Sequence, residues 1–240
     1  MTLSPIDFFD QDIELEIIKD LTKDVSYVWQ IIPKIKLVLE QLLGIKQVIK
    51  GTVSQGAYIS KKPIFIHETA FIEPGAYVQG PAYIGEDVVV RHGAYVRDNV
   101  ILLKGSLLGH ASETKNSLFF PYAFAPHFNY IGDSILGSHV NLGAGTKLSN
   151  LTVVSEKDRV TGKRPTIKIT IDNVEYDTQL TKLGAIIGNN TQTGCNSVLN
   201  PGCLVGKNSL IYANTSLRKG YYPPHKMVKL RQVIELFERL

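Results

Sequence analysis

From Ile66 onward an aliphatic residue recurs at every sixth position: Ile66, Ile72, Val78, Ile84, Val90, Val96, Leu102 and Leu108. Four residues after each stands a small or β-branched one: Ala70, Ala76, Ala82, Val88, Ala94, Val100, Ser106 and Ser112. The pattern resumes at Ile187 and runs through Thr193, Leu199, Val205, Ile211 and Leu217, with Thr191, Ser197, Cys203, Ser209 and Thr215 in the offset row. Between the two runs, Leu136, Leu142 and Leu148 keep the same spacing. A period of six is neither that of a helix nor that of an alternating strand. It describes a short strand, a corner and a repeat, so that three units close a triangular coil of about 18 residues. The aliphatic residue points into the prism and the small one sits at the tight corner. Glycines such as Gly75, Gly85, Gly109 and Gly143 are expected at turns of positive φ. Stacked coils hydrogen-bond to one another and bury a continuous core. The fold class this predicts is mainly β: a left-handed parallel β-helix of hexapeptide repeats over residues 51–220.

The flanks read differently. Residues 1–50 carry helix-like apolar spacing, with Pro33 as a break and Gly44 as a stop, and predict a helical cap over the first coil. Trp29 is expected in the core. Residues 151–182 interrupt the repeat with a polar, turn-rich stretch, followed by an alternating TIKITIDNVEYDTQL that predicts a hairpin turning at Asp172-Asn173. Such an insertion is either a loop over a functional face or a structural decoration. Residues 221–240, with Met227, Val228, Leu230, Val233, Ile234, Leu236 and Phe237, predict an amphipathic C-terminal helix capping the far end.

Composition narrows the function. Over 240 residues the formal charge is +4. That is too small and too scattered for nucleic-acid binding, and an anionic small molecule is the better partner. Two cysteines, Cys195 and Cys203, lack zinc-ligand spacing, and dispersed carboxylates suggest no metal site. Neither a signal peptide nor a stretch long enough to span a membrane is legible, so a soluble cytoplasmic protein is expected.

Residues 124–150 read as a break in the repeat that stays rich in polar groups, and within them the segment PHFNYIGDSILGSHVNLGAGT, residues 126–146, carries the chemistry. It resembles the acetyltransferase domain of the bifunctional glucosamine-1-phosphate acetyltransferase / N-acetylglucosamine-1-phosphate uridyltransferase family, and its archaeal and shorter relatives named for sugar-1-phosphate nucleotidyl transfer. The likeness covers about residues 66–220. It implies an acetyl-CoA-dependent N-acetyltransferase acting on an amino-sugar phosphate, assembled as a homotrimer with sites between subunits. By the same resemblance His127 is the catalytic base. Arg97 and Lys115 meet the sugar phosphate, Tyr130, Asn141, Asn150 and Lys182 hold the substrate, and Ala144, Cys195 and Ala213 line the coenzyme A side. The residue types suit the task. An amine attacking a thioester must lose a proton, and an imidazole with an ordinary pKa of about 6.5 can take it near neutral pH. Backbone N–H groups of Gly143-Ala144-Gly145 are candidates for the oxyanion. His67, His92, His110 and His139 lack such context and read as surface or corner residues.

The chain also departs from the family pattern. It lacks a Gly-rich nucleotide loop, so nucleotidyl transfer is not expected of it. The Tyr-Asp-Gly continuation after Asn150 is replaced by the insertion, and Pro126 stands where Gly is usual. Two alternatives stay open: a non-catalytic module that binds a sugar nucleotide or serves in assembly, and an acyltransferase with another acceptor.

Overall fold

The computed structural model describes residues 3–10, 16–153, 156–231, 233–235 and 238. It is a parallel β-solenoid consistent with the left-handed hexapeptide class. Three parallel sheets of nine, nine and eight strands form the faces of a triangular prism, here named A, B and C in the order the chain visits them. Face A runs from Gln47–Ile49 to Gly220–Tyr222, face B from Thr52–Val53 to Met227–Val228, and face C from Tyr58–Ile59 to Ser216–Leu217. Every residue of the two six-residue runs is buried inside the prism, as are their small offset partners.

The repeat does not break at 124–150, as the sequence suggested. Two coils in this stretch have 17 residues, with Val100 paired to Ser117 and Leu118 to Ile135, where Ile64 pairs with Ala82 at a step of 18. The shortened phase puts Phe119, Ala125 and Ile131 inside. A large ring beside a methyl keeps the rung's volume near that of an Ile-Ile-Val rung, which a close-packed interior requires. Some of the expected glycine turns have a different cause. Gly75 has φ +77, but Gly109 and Gly143 do not lie at positive φ. A Cβ on Gly109 would stand 1.8 Å from the Pro126 carbonyl oxygen, and one on Gly143 would stand 2.5 Å from the Gly194 carbonyl carbon. There glycine permits coil-to-coil contact. Many left-handed corners belong instead to Asn and Asp, among them Asn99, Asn116, Asp133, Asn196 and Asn214, residues that tolerate that conformation.

The N-terminal helices α1 (Pro5–Phe9), α2 (Glu16–Thr22) and α3 (Ile31–Leu43) lie along face A rather than over the first coil. Phe9 stacks on Phe120 at 4.4 Å, and Phe8 meets Tyr221 edge-on. The outward residues of face A explain this: Ile101, Leu118, Ile135, Ile186 and Leu204 are apolar and buried in one cluster with Phe8, Trp29, Ile35 and Leu39. Face A is thus covered on both sides over its middle, where the strands from Val100–Leu102 to Cys203–Val205 are buried without alternation. The expected C-terminal helix is absent among the described residues. Gly220–Tyr222 and Met227–Val228 extend faces A and B by one more strand each. Their side chains follow the strand ladder, and Val228 packs on the prism core. Residues 232, 236, 237, 239 and 240 of that expected helix lie outside the described residues.

The insertion enters between Leu148 on face C and Ala185 on face A. Its hairpin, Lys168–Ile171 with Val174–Asp177, turns at Asp172 and Asn173, both of positive φ, as a two-residue hairpin turn demands. Tyr176 packs edge-on against Tyr27 and Trp29, so the helices and the hairpin buttress each other. No helix among the described residues is long and apolar enough to cross a membrane.

Candidate functional site

The corner where face B turns into face C carries one residue per coil in a continuous row: His92, His110, His127, Ala144, Cys195 and Ala213. Cross-coil hydrogen bonds fix the row. Phe128 N donates to His110 O, Gly145 N to His127 O, Asn196 N to Ala144 O and Asn214 N to Cys195 O, all at 2.8–2.9 Å. The expected base and the three residues expected on the coenzyme A side therefore occupy equivalent places on successive coils. Sequence reasoning named them singly and missed the row, because corner positions carry no hydrophobic signal.

His127 ends the strand Phe124–His127 and is exposed. Its backbone is held by Asn129, which is buried although polar. Asn129 Oδ1 accepts from His127 N at 3.0 Å, its Nδ2 donates to Gly143 O at 2.8 Å, and its own N donates to Ser112 Oγ at 3.1 Å. Three bonds into three coils lock the turn that presents the imidazole. Asn129 is a positioning residue that the sequence did not single out. A buried asparagine with every bond satisfied is invisible until its neighbours are known. The His127 ring makes no hydrogen bond among the described residues. His92 and His110 differ: their Nδ1 atoms donate to Pro74 O at 2.8 Å and to His92 O at 3.0 Å, and the two rings stack at 5.5 Å. A carbonyl only accepts, so Nδ1 carries a proton in both.

The opposite edge of face C gathers the phosphate candidates. Arg97 and Lys115 occupy the same place on successive coils, since Val96 pairs with Thr114. Arg97 Nη1 donates to Glu113 Oε1 at 2.7 Å, and its guanidinium lies 5.9 Å from the Tyr95 ring centroid. Its Nε is buried without a partner. Glu113 pairs in register with Tyr130, which brings the Arg97 head toward that phenol. Tyr130 Oη donates to Asn150 Oδ1 at 3.4 Å, and Asn150 Nδ2 donates to the Asp133 carboxylate. Asp133 also accepts from Asn116 Nδ2 at 2.7 Å. Burial, then the charges of Glu113 and Asp133, push the Tyr130 hydroxyl above its ordinary value and keep it a donor. Lys182 ends the insertion and adjoins this group, because Leu183 N donates to Asn150 O. Arg97, Lys115, Tyr130, Asn150 and Lys182 thus belong to face C and its far edge.

Asn141 does not join them. It lies on face B, in register with Phe124 and Gln192. Faces B and C meet at a convex edge of the prism, so Asn141 and Tyr130 look in diverging directions. Cys195 is exposed, and Cys203 is sealed in the prism, where burial pushes its thiol far up. No group of three or more potential metal ligands occurs among the described residues.

The bacterial transferase hexapeptide profile, of six repeats, matches residues 63–98 and 184–219. Both stretches are hexapeptide repeats of the kind that profile describes. The chain's kin can be narrowed. It is 33% identical over 197 residues to the bifunctional protein GlmU of Methanococcus maripaludis, covering 82% of this chain and 44% of that protein. It is 32% identical over 189 residues to the bifunctional sugar-1-phosphate nucleotidylyltransferase/acetyltransferase of Sulfurisphaera tokodaii, covering 79% of this chain and 44% of that protein. The chain spans less than half the length of these relatives. Among solved structures, a putative acetyltransferase from Bacillus cereus aligns with a TM-score of 0.37 and 18% identity, over 68% of this chain and 78% of that one.

Proposed function

We propose that this protein transfers an acetyl group from acetyl-CoA to the amine of an amino-sugar phosphate of the glucosamine 1-phosphate kind. The observation that carries the reading is the corner row: the exposed imidazole of His127, whose ring makes no hydrogen bond among the described residues, followed on the next coils by Ala144, Cys195 and Ala213. A row of small residues leaves a track along the edge for an extended thioester, ending at a base. The amine attacks the thioester carbonyl while His127 takes its proton. The tetrahedral oxyanion meets the Ala144 N–H, since Gly143 N and Gly145 N already donate to Thr193 O and His127 O, and collapses to release the coenzyme A thiolate, which is then protonated. Arg97 and Lys115 neutralise the sugar phosphate, Arg as a fork and Lys as a point charge. Tyr130, Asn141, Asn150 and Lys182 orient the sugar.

The site is completed by a second copy of the chain, and the assembly is a homotrimer. The support is geometric. Residues assigned to one ligand stand on both sides of a convex edge, and a convex edge cannot enclose a sugar. Face A is covered by the chain's own helices, whereas faces B and C present outward rings, with Phe71 38%, Phe124 37% and Tyr58 58% exposed. Face B of one prism against face C of the next is a heterologous contact, which closes into a ring of three when each copy is turned by a third of a circle.

A thiol-release assay with acetyl-CoA and glucosamine 1-phosphate tests the reaction. The wild type should release coenzyme A. His127→Ala should lose on the order of 10²–10⁴ in turnover with its melting temperature unchanged. Near-normal turnover by the variant would remove His127 from the base role. Silence from the folded wild type would favour another acceptor or a purely binding module.

A further inference from the structure

The edge between faces B and C changes character at His127. On one side the row continues with Ala144, Cys195 and Ala213, and these small residues leave the edge open. On the other side rings fill it. His92 and His110 stack at 5.5 Å, and the Phe128 ring stands edge-on to His110 at 5.4 Å and 6.3 Å from the His127 ring. Phe128 is held there by an unusual backbone. Its φ is +52, in the left-handed region that bulky side chains rarely adopt. The same place on other coils is taken by Gly93, Ala111, Gly145, Asn196 and Asn214, all at positive φ. Glycine and asparagine tolerate that conformation and alanine is small. Phe128 is the one bulky residue in the series, and it is 55% exposed.

Filling a gap in the coil does not explain the ring. Tyr122, at the corner between faces A and B, also has positive φ, but its ring lies over Gly105, where a Cβ would stand 2.5 Å from it, and stacks on His139 at 5.2 Å. Tyr122 thus occupies a place that glycine leaves empty. One coil before Phe128 the equivalent residue is Ala111, which has its own Cβ, and the contact with His110 leaves more than half of Phe128 in water. A strained, exposed aromatic residue beside a candidate base points to a ligand.

We propose that Phe128 sets the length of the acyl group. The inference rests on the acetyl-transfer reading of this edge. With the pantetheine arm over Ala213, Cys195 and Ala144 and the thioester carbonyl beside His127, the carbon chain beyond the carbonyl extends away from the sulfur, toward the Phe128 ring. A methyl group packs against that ring. Each further methylene must displace the ring, which His110 backs, or leave the edge. The reacting atoms are the same for any acyl group: the N–C bond forms, the C–S bond breaks, the amine proton passes to His127 and coenzyme A leaves as the thiolate. Phe128 meets only the chain beyond them, so it governs which donor is used.

The test is coenzyme A release from acetyl-, propionyl- and butyryl-CoA with glucosamine 1-phosphate, measured for the wild type, Phe128→Gly and Phe128→Leu. In the wild type kcat/KM should fall by about tenfold or more from acetyl to butyryl. Phe128→Gly should raise the butyryl-to-acetyl ratio by about tenfold or more, and Phe128→Leu, which keeps part of the bulk, by less. Phe128→Gly should melt no lower than the wild type, because glycine takes a positive φ without strain. A ratio unchanged in both variants overturns the inference, and so does a wild type that uses butyryl-CoA as readily as acetyl-CoA. A lower melting temperature or a smaller native mass together with an unchanged ratio would make Phe128 a packing or assembly residue instead. Release from acetyl-CoA with an unaltered ratio brings down this inference alone. Release from none of the thioesters brings down the acetyl-transfer reading and this inference together.

Discussion

Two rows run the length of the prism with the same coil-by-coil repeat, yet their side chains differ. The inner row, from Ile66 through Leu217, is almost uniformly aliphatic, and the row along the edge between faces B and C changes from histidine to alanine to cysteine. The backbone hydrogen bonds that stack them are equivalent. What differs is the surroundings: inner side chains meet three faces of packed carbon, and edge side chains meet only the neighbours above and below. Packing restricts the first row to volume and leaves the second free for chemistry. Stability and function are therefore separable along this chain, coil by coil.

Substitutions on each row can break or sharpen that separation. The largest stability effect belongs to the inner row. Phe119→Ala removes the ring that fills the rung shared with Ala125 and should cost about 3–5 kcal/mol, read as a lower midpoint in denaturant unfolding. A loss below 1 kcal/mol would mean that the prism collapses around the gap. Asn129→Ala lies between the rows. It breaks bonds that tie His127 to two other coils, so a cost of about 1–3 kcal/mol is expected for buried groups left unpaired. Turnover should fall as well, with little change in KM, since the imidazole is displaced and not removed. A purely structural asparagine would lower stability and leave kcat alone. Cys195→Ala on the edge row should change stability by no more than about 0.5 kcal/mol while altering KM for the acyl donor a few-fold. An unchanged donor KM would take Cys195 off the track.

The inner row was legible from sequence because burial repeats every six residues without exception over Ile66–Leu108. It became illegible at Thr114, where a polar residue takes an inward place and two coils each lose one residue. Counting in sixes then slipped, and residues 124–150 read as a break. The helices were legible as helices but not as a layer on face A. Their partners, Ile101, Leu118 and Ile186, are single apolar residues between two buried ones and carry no period of their own. The C-terminal segment has amphipathic spacing, but Met227 and Val228 pair in register with Leu210 and Ile211, and that ladder overrode local preference. At the site, His127 and Asn150 could be named from the motif around them. Asn129, Glu113 and Asp133, which hold His127, Arg97 and Asn150, could not, because their meaning lies in bonds to residues some 15 or more positions away.

The central claim is that one ligand is embraced by face C of one copy and face B of another. Co-expression of Arg97→Ala chains with Asn141→Ala chains tests it most directly, with acetyl transfer as the readout. Each variant alone should be impaired. In mixed assemblies about a quarter of the shared sites would combine an intact Arg97 with an intact Asn141 from different copies, so activity should rise well above either parent. A mixture no more active than the two variants apart would place both residues' work within a single chain and contradict the shared site.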